Sequence, residues 1–175
     1  MESGSSSSSP NETRVPAPPL EVVILIGLQG AGKTTFRGQR FGETHAVVSK
    51  DLLRNNRRPQ RRQRHLIAAA LASGMSVLVD NTNPSVEERS GIIAAARASS
   101  ARVVGYFFES SLRECAARNQ LRPAQTRVPD VGLFAAAKRL IRPSMTEGFH
   151  ELWTVRTLPE LRFDILPYED SNEPR

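Results

Sequence analysis

A single cysteine, Cys115, stands in 175 residues, so no disulfide can form within the chain. No apolar run approaches the length of a membrane span. The serine-rich stretch from Met1 to Ser9 lacks the apolar middle of a secretory leader. No segment repeats. His45, His65 and His150 have no ligand-like spacing with one another or with carboxylates, which argues against a metal site built from imidazole nitrogens. These absences point to a cytoplasmic or otherwise reducing compartment and away from a membrane. Acidic residues are scarce in one place. Between Lys50 and His65 there are seven Lys or Arg and one acid, Asp51, a local excess of +6 that equals the net charge of the whole chain. A neutral body with one basic segment suits a local anionic partner; the plain alternative is a solvated, arginine-rich helix face.

What remains is enough for one domain. Hydrophobic residues make up 39% of the chain, slightly below the usual share but sufficient for a core. Residues 1–20, mostly serine and then proline-rich, have no apolar periodicity and read as a disordered arm. A domain is expected over residues 21–158, followed by a tail over residues 159–175.

Strands alternate with helices through that domain. Val22 to Ile26 reads as a buried strand, followed by a helix from Lys33 to about Arg40. Ala46 to Ser49, Val77 to Asp80, Val103 to Phe108 and Leu152 to Thr157 read as further strands. Helices are expected over Arg61 to Ser73, Ser85 to Ala98, from Ser111 onward, and Val131 to Leu140. Ser85 with Glu88 and Ser111 with Glu114 have capping-box spacing. Cys115 falls on the apolar side of its helix with Leu112 and Ala116 and reads as a small core residue; Phe149 and Trp153 read as core residues too. This alternation predicts an α/β fold, a parallel sheet covered on both faces, with ligands at the carboxyl ends of the strands.

At the first such end stands Gly27-Leu28-Gln29-Gly30-Ala31-Gly32-Lys33-Thr34, which fits the phosphate-loop pattern G-x-x-x-x-G-K-[ST] at every position. A loop between strand and helix turns backbone N–H groups inward, and the helix start adds its positive end. Gln29, Gly30, Ala31, Gly32, Lys33, Thr34 and Thr35 are therefore the expected contacts for ATP. Lys33 is expected at the β- and γ-phosphates and Thr34 at Mg²⁺. Asp80, at the end of another strand, is the second expected Mg²⁺ ligand, or else an ordinary turn residue. The residue after it is Asn81, where many hydrolytic phosphate-loop enzymes carry a glutamate that activates water. Asp51, just past a strand end, suits a base for an acceptor hydroxyl, and Arg54 would share its face on a first helical turn. The plain alternative for Asp51 is a helix cap.

Four motifs carry a family resemblance: Gly-Leu-Gln-Gly-Ala-Gly-Lys-Thr-Thr-Phe at 27–36, Ser-Lys-Asp-Leu-Leu-Arg at 49–54, Val-Asp-Asn-Thr-Asn-Pro at 79–84 and Arg-Asn-Gln-Leu-Arg at 118–122. With them the chain, from about Val22 to Val155, resembles the kinase module of polynucleotide kinases: the phage enzyme, bacterial end-healing enzymes and the kinase half of animal polynucleotide kinase/phosphatase. Thr146-Glu147-Gly148-Phe149 is also similar to the animal enzyme near its end. The resemblance implies a three-layer P-loop NTPase, adenylate-kinase-like, with a small arginine-bearing lid. It implies Asp51 as general base toward a 5′-hydroxyl, Arg54 on the adjacent acceptor phosphate, and Arg118 and Arg122 on the lid, neutralising the transferring and leaving phosphates. ATP and Mg²⁺ are the implied cofactors, and a nucleic acid 5′-OH end the implied partner. Gln120 departs from the pattern, standing where related lids often carry another arginine, and no phosphatase module is present in this sequence. A small-molecule hydroxyl acceptor, or a nucleotide-dependent binding module with little turnover, remain the alternatives.

Overall fold

A computed structural model of the chain describes residues 19–50 and 57–170. The candidate base Asp51 and its neighbour Arg54 lie outside the described residues, as does nearly all of the N-terminal arm.

Among the described residues, six strands form one sheet: β1 (Glu21–Ile26), β2 (His45–Val48), β3 (Ser76–Asp80), β4 (Arg102–Phe108), β5 (Glu151–Thr157) and β6 (Phe163–Pro167), in the order β2-β3-β1-β4-β5-β6. The first five run parallel, and β6 runs antiparallel to β5. The α-helices described between them are α1 (Lys33–Arg40), α2 (Pro59–Ala72), α3 (Val86–Ala98), α4 (Leu112–Gln120) and α5 (Asp130–Arg139).

Strand periodicity divides the core in two. Side chains alternate across a strand, so Val22, Ile24 and Ile26 face one layer with Ile67 and Leu71 of α2 and Ile92, Ile93 and Ala96 of α3. Val23 and Leu25 face the other, with Phe36 of α1, Cys115 of α4 and Leu133 of α5. Helices on both faces make the three layers that a parallel sheet requires. The Ser111 capping box opens α4 with both reciprocal bonds, and Ser85 caps α3 by accepting from the Glu88 N–H. The helix expected to start at Arg61 starts two residues earlier, because Pro59 can open a helix at a position whose N–H has no intrahelical partner.

The sequence put a tail after 158, yet the sheet continues there. A turn through Pro159–Leu161 reverses the chain, and β6 pairs with β5 from Thr157↔Phe163 to Trp153↔Pro167. Phe163 packs edge-on to Phe36 with ring centroids 5.2 Å apart. The run Phe-Asp-Ile-Leu-Pro has a weak alternation and ends in proline, a residue sheets admit on edge strands. The sheet therefore extends one strand past β5.

Sheet register positions the site. Leu25 of β1 lies beside both Asp80 of β3 and Tyr106 of β4, and Val48 of β2 lies beside Val79. The chain segments leaving β1, β2 and β3 thus emerge side by side: the phosphate loop, Ser49-Lys50 and Asp80-Asn81.

Candidate active site

The phosphate loop takes its shape from three glycines at positive φ: Gly27 at 154°, Gly30 at 82° and Gly32 at 91°. Gly30 is the tightest, since a Cβ there would come within 2.4 Å of the Cys115 carbonyl oxygen. The loop is tied down from three sides. The Gly27 N–H donates to the Thr82 carbonyl at 3.0 Å. The Thr157 hydroxyl donates to the Ala31 carbonyl at 2.8 Å. Arg118 Nη1 donates to the Gly30 carbonyl at 2.9 Å. Lys33 curls back inside the loop, its Nζ donating to the Gly27 and Leu28 carbonyls at 2.8 and 2.7 Å.

A cleft of about 820 Å³ opens over this loop. Its walls bring together Gln29, Gly30, Lys33 and Thr34 with Asp80 and Arg122, so these expected site residues share one cavity. Arg118 lines the adjoining cavity of about 590 Å³, which Thr35 and Gly32 also border. Ala31 is fully buried beneath the loop, its carbonyl held by Thr157. Gln120 points elsewhere, donating to Asp130 at 3.3 Å from an exposed position.

The structure adds residues that sequence reasoning missed. Arg37 follows Lys33 by four positions and so shares its helix face; its Nη1 donates to Asp80 Oδ2 at 2.7 Å. That spacing was the available signal. Lys50, Glu88 and Arg139 also line the cleft, with both cations paired to the Glu88 carboxylate. They come from three separate elements, and no local pattern joins them. The Lys50 N–H donates to Asn81 Oδ1 at 2.7 Å, which fastens the end of β2 to the end of β3. The Asn81 amide nitrogen is a buried donor without a partner among the described residues.

The second cavity carries a different chemistry. Leu121, Leu158, Pro159 and Leu161 give it an apolar lining beside Arg118, Arg122 and Glu160. Its floor turns on two consecutive non-glycine residues at positive φ, Glu160 at 60° and Leu161 at 53°. Such conformations cost on the order of 1–3 kcal/mol each and persist only where the surroundings impose them. Here the Leu158 N–H donates to the Arg162 carbonyl at 2.9 Å and closes the turn.

A third cavity, a groove of about 430 Å³, is lined by Arg57, Arg58, Arg61, Arg62 and His65 around the first turns of α2. Gln60, on the same turn, lines the phosphate-loop cleft. Cys115 stands apart from any reactive role: it is fully buried, and burial pushes its thiol up despite Arg118 and Lys33 nearby.

These residues fit a nucleoside triphosphate and a divalent cation. The glycines leave the loop without side chains that would crowd a phosphate, Lys33 lies within the loop with its Nζ on the Gly27 and Leu28 carbonyls, and Lys33, Thr34 and Asp80 line one cavity. Mg²⁺ characteristically takes one or two such protein ligands and completes its shell with phosphate oxygens and water.

Comparison with known proteins bears on the family and the fold. Residues 22–142 match the AAA_33 family model, described as an AAA domain. The bifunctional polynucleotide phosphatase/kinase of Schizosaccharomyces pombe is 28% identical over 159 residues, spanning 86% of this chain and 36% of that protein. The chain thus spans about a third of the length of that curated relative. Among solved structures, a sugar kinase from a Janibacter species superposes with a TM-score of 0.62 at 13% identity, covering 79% of this chain and 86% of the other. A gluconokinase from Sinorhizobium meliloti superposes with a TM-score of 0.57 at 19% identity, covering 82% and 85%. At these identities the likeness concerns the fold, a phosphate-loop α/β architecture that kinases use.

Proposed function

The chain belongs to the AAA domain family that its residues 22–142 match, and from that premise we propose that it is an ATP-dependent phosphotransferase acting on the 5′-hydroxyl end of a polynucleotide. The triphosphate lies along residues 27–35, with its charge met by loop N–H groups and by Lys33, which exchanges the Gly27 and Leu28 carbonyls for phosphate oxygens. Thr34 and Asp80 would hold Mg²⁺, whose charge would offset that of the phosphates. The base and ribose occupy the apolar cavity between Leu121 and the Leu158–Leu161 turn, beside Arg118.

In the transfer, the 5′-oxygen forms a bond to the γ-phosphorus as the bond to the bridging β-oxygen breaks, and the hydroxyl proton passes to the Asp51 carboxylate. Arg122, facing both cavities, stabilises charge on the transferring group. Arg54 holds the acceptor phosphate next to the terminal nucleoside. Asn81 cannot accept a proton as a glutamate would, which favours a hydroxyl acceptor over water.

The observation that carries the polynucleotide reading is the start of α2. Gln60 borders the reaction cleft, and Arg57, Arg58, Arg61 and Arg62 border the groove beside it. A sugar or a free nucleoside has no use for that second row of cations; a strand with successive phosphates does. The relative from Schizosaccharomyces pombe, named for a polynucleotide activity, supports the same reading.

Radiolabel transfer from ATP to a short 5′-OH DNA and to its RNA counterpart tests it. Labelling of either strand is expected, with Asp51→Asn reducing transfer at least ~100-fold while nucleotide affinity stays within a few-fold. Full transfer by Asp51→Asn rejects the base assignment. Preferred labelling of sugars or nucleosides in the same assay rejects the polynucleotide acceptor, and tight ATP binding without acceptor-stimulated ADP release rejects the enzyme.

A further inference from the structure

Arg89 is the largest fully buried side chain among the described residues, at 0% exposure, and a buried guanidinium is tolerated only when its donors are met. Its Nε and Nη2 form a two-pronged pair with Glu147, at 2.7 Å each. Its Nη1 faces three backbone carbonyls: Asn83 at 3.0 Å, Pro84 at 3.2 Å and Ile141 at 3.1 Å. Those partners belong to separate segments. Asn83 and Pro84 close the loop that begins with Asp80 and Asn81. Ile141 lies just past the end of α5, two residues after Arg139. Glu147 caps its own short turn, accepting from the Ser144 N–H at 3.1 Å.

The loop at 80–84 is fastened at its other side to β1 and the phosphate loop. Asn83, at a φ of 44°, donates from Nδ2 to the Leu25 carbonyl at 2.7 Å, and the Thr82 carbonyl accepts from Gly27. The Ile141 N–H donates to the Pro84 carbonyl at 2.8 Å. One guanidinium therefore holds the loop carrying Asp80 and Asn81 in register with the chain leaving α5, which carries Arg139 into the same cleft.

Resting on the phosphotransfer reading above, we infer that Arg89, clamped by Glu147, is the positioning residue that aligns the Asp80–Asn81 loop with the C-terminal end of α5, touching no substrate itself. A pair serving stability alone behaves differently. A buried ion pair can be exchanged for well-packed apolar residues with little loss of stability or even a gain, whereas removing one partner is strongly destabilising. Apolar side chains, however, leave the three carbonyls without their shared donor.

The test compares the wild type with the joint replacement Arg89→Met and Glu147→Leu, and with Glu147→Gln as a shape-preserving second variant. In a folded double variant, kcat is expected to fall about 10–100-fold, the effect of a small misplacement, with KM for ATP changed less than ~3-fold. In either variant the Gly27 and Ile141 amides, which donate to the 80–84 loop, are expected to exchange with deuterium faster, while amides of the β5–β6 pair keep the wild-type rate. Unchanged exchange at Gly27 and Ile141 overturns the inference, as does unchanged kcat in the double variant. Exchange is read without turnover, so a wild type that transfers no phosphate to any acceptor refutes the proposed function and leaves the exchange result to decide this one.

Discussion

A methyl group at position 30 has nowhere to go. Its φ of 82° disfavours any L side chain, and the Cys115 carbonyl oxygen stands 2.4 Å from where the Cβ would sit. Gly30→Ala is therefore expected to displace the loop against α4 and weaken ATP binding at least ~10-fold, measured by calorimetric titration, whereas Gly38→Ala, with open space around it, is expected to leave binding unchanged. The same packing protects Cys115, whose thiol burial pushes up. Its alkylation near pH 8 is expected to be slow in the folded protein and fast in denaturant, read by mass spectrometry. Lys33 and Thr34, which line the cleft, were legible as candidates because the phosphate loop is a local motif of consecutive residues. Glu88, Lys50 and Arg139 were not, since they meet only through the fold.

At the scale of elements, two helix starts make different predictions. The Ser111 backbone N–H and then its hydroxyl hold the Glu114 carboxyl below its ordinary value of 4.5. A depressed folded pKa means that the cap's contribution is present above that value and lost as pH falls through the folded one. Exchange protection of α4 amides is thus expected to drop, as pH falls from neutral to below 4.5, more in the wild type than in Glu114→Gln. The start of α2 has no acid in its first turn and lines its groove with arginines. Replacing Arg61 and Arg62 by alanine is expected to flatten the salt dependence of single-strand binding by about 1.4 in slope, two phosphate contacts at ~0.7 each. An unaltered slope would move the strand elsewhere.

For the whole molecule, β6 is the test of where the domain ends. Phe163 and Ile165 pack onto the layer that holds Phe36, Phe108 and Val155, and Phe163 sits 3.0 Å from a Cβ built on Gly32 of the phosphate loop. Ending the chain after Leu158 removes this cover and the turn beneath the apolar cavity. The loss of roughly 2–4 kcal/mol of partial apolar burial is expected to lower Tm by roughly 5–15 °C, and to weaken nucleotide binding alongside. A truncated chain with unchanged Tm and ATP affinity would return residues 159–170 to the status of a tail.

Local order was enough to establish the alternation of strands and helices, the phosphate loop, the caps of α3 and α4 and the inward side of Cys115, because each depends on residues a few positions apart. Strand order, the antiparallel return of β6, the Arg37–Asp80 pair and the Arg89 hub depend on which distant segments lie side by side. That was decided by burying two faces of one sheet at once, which only the folded chain can satisfy.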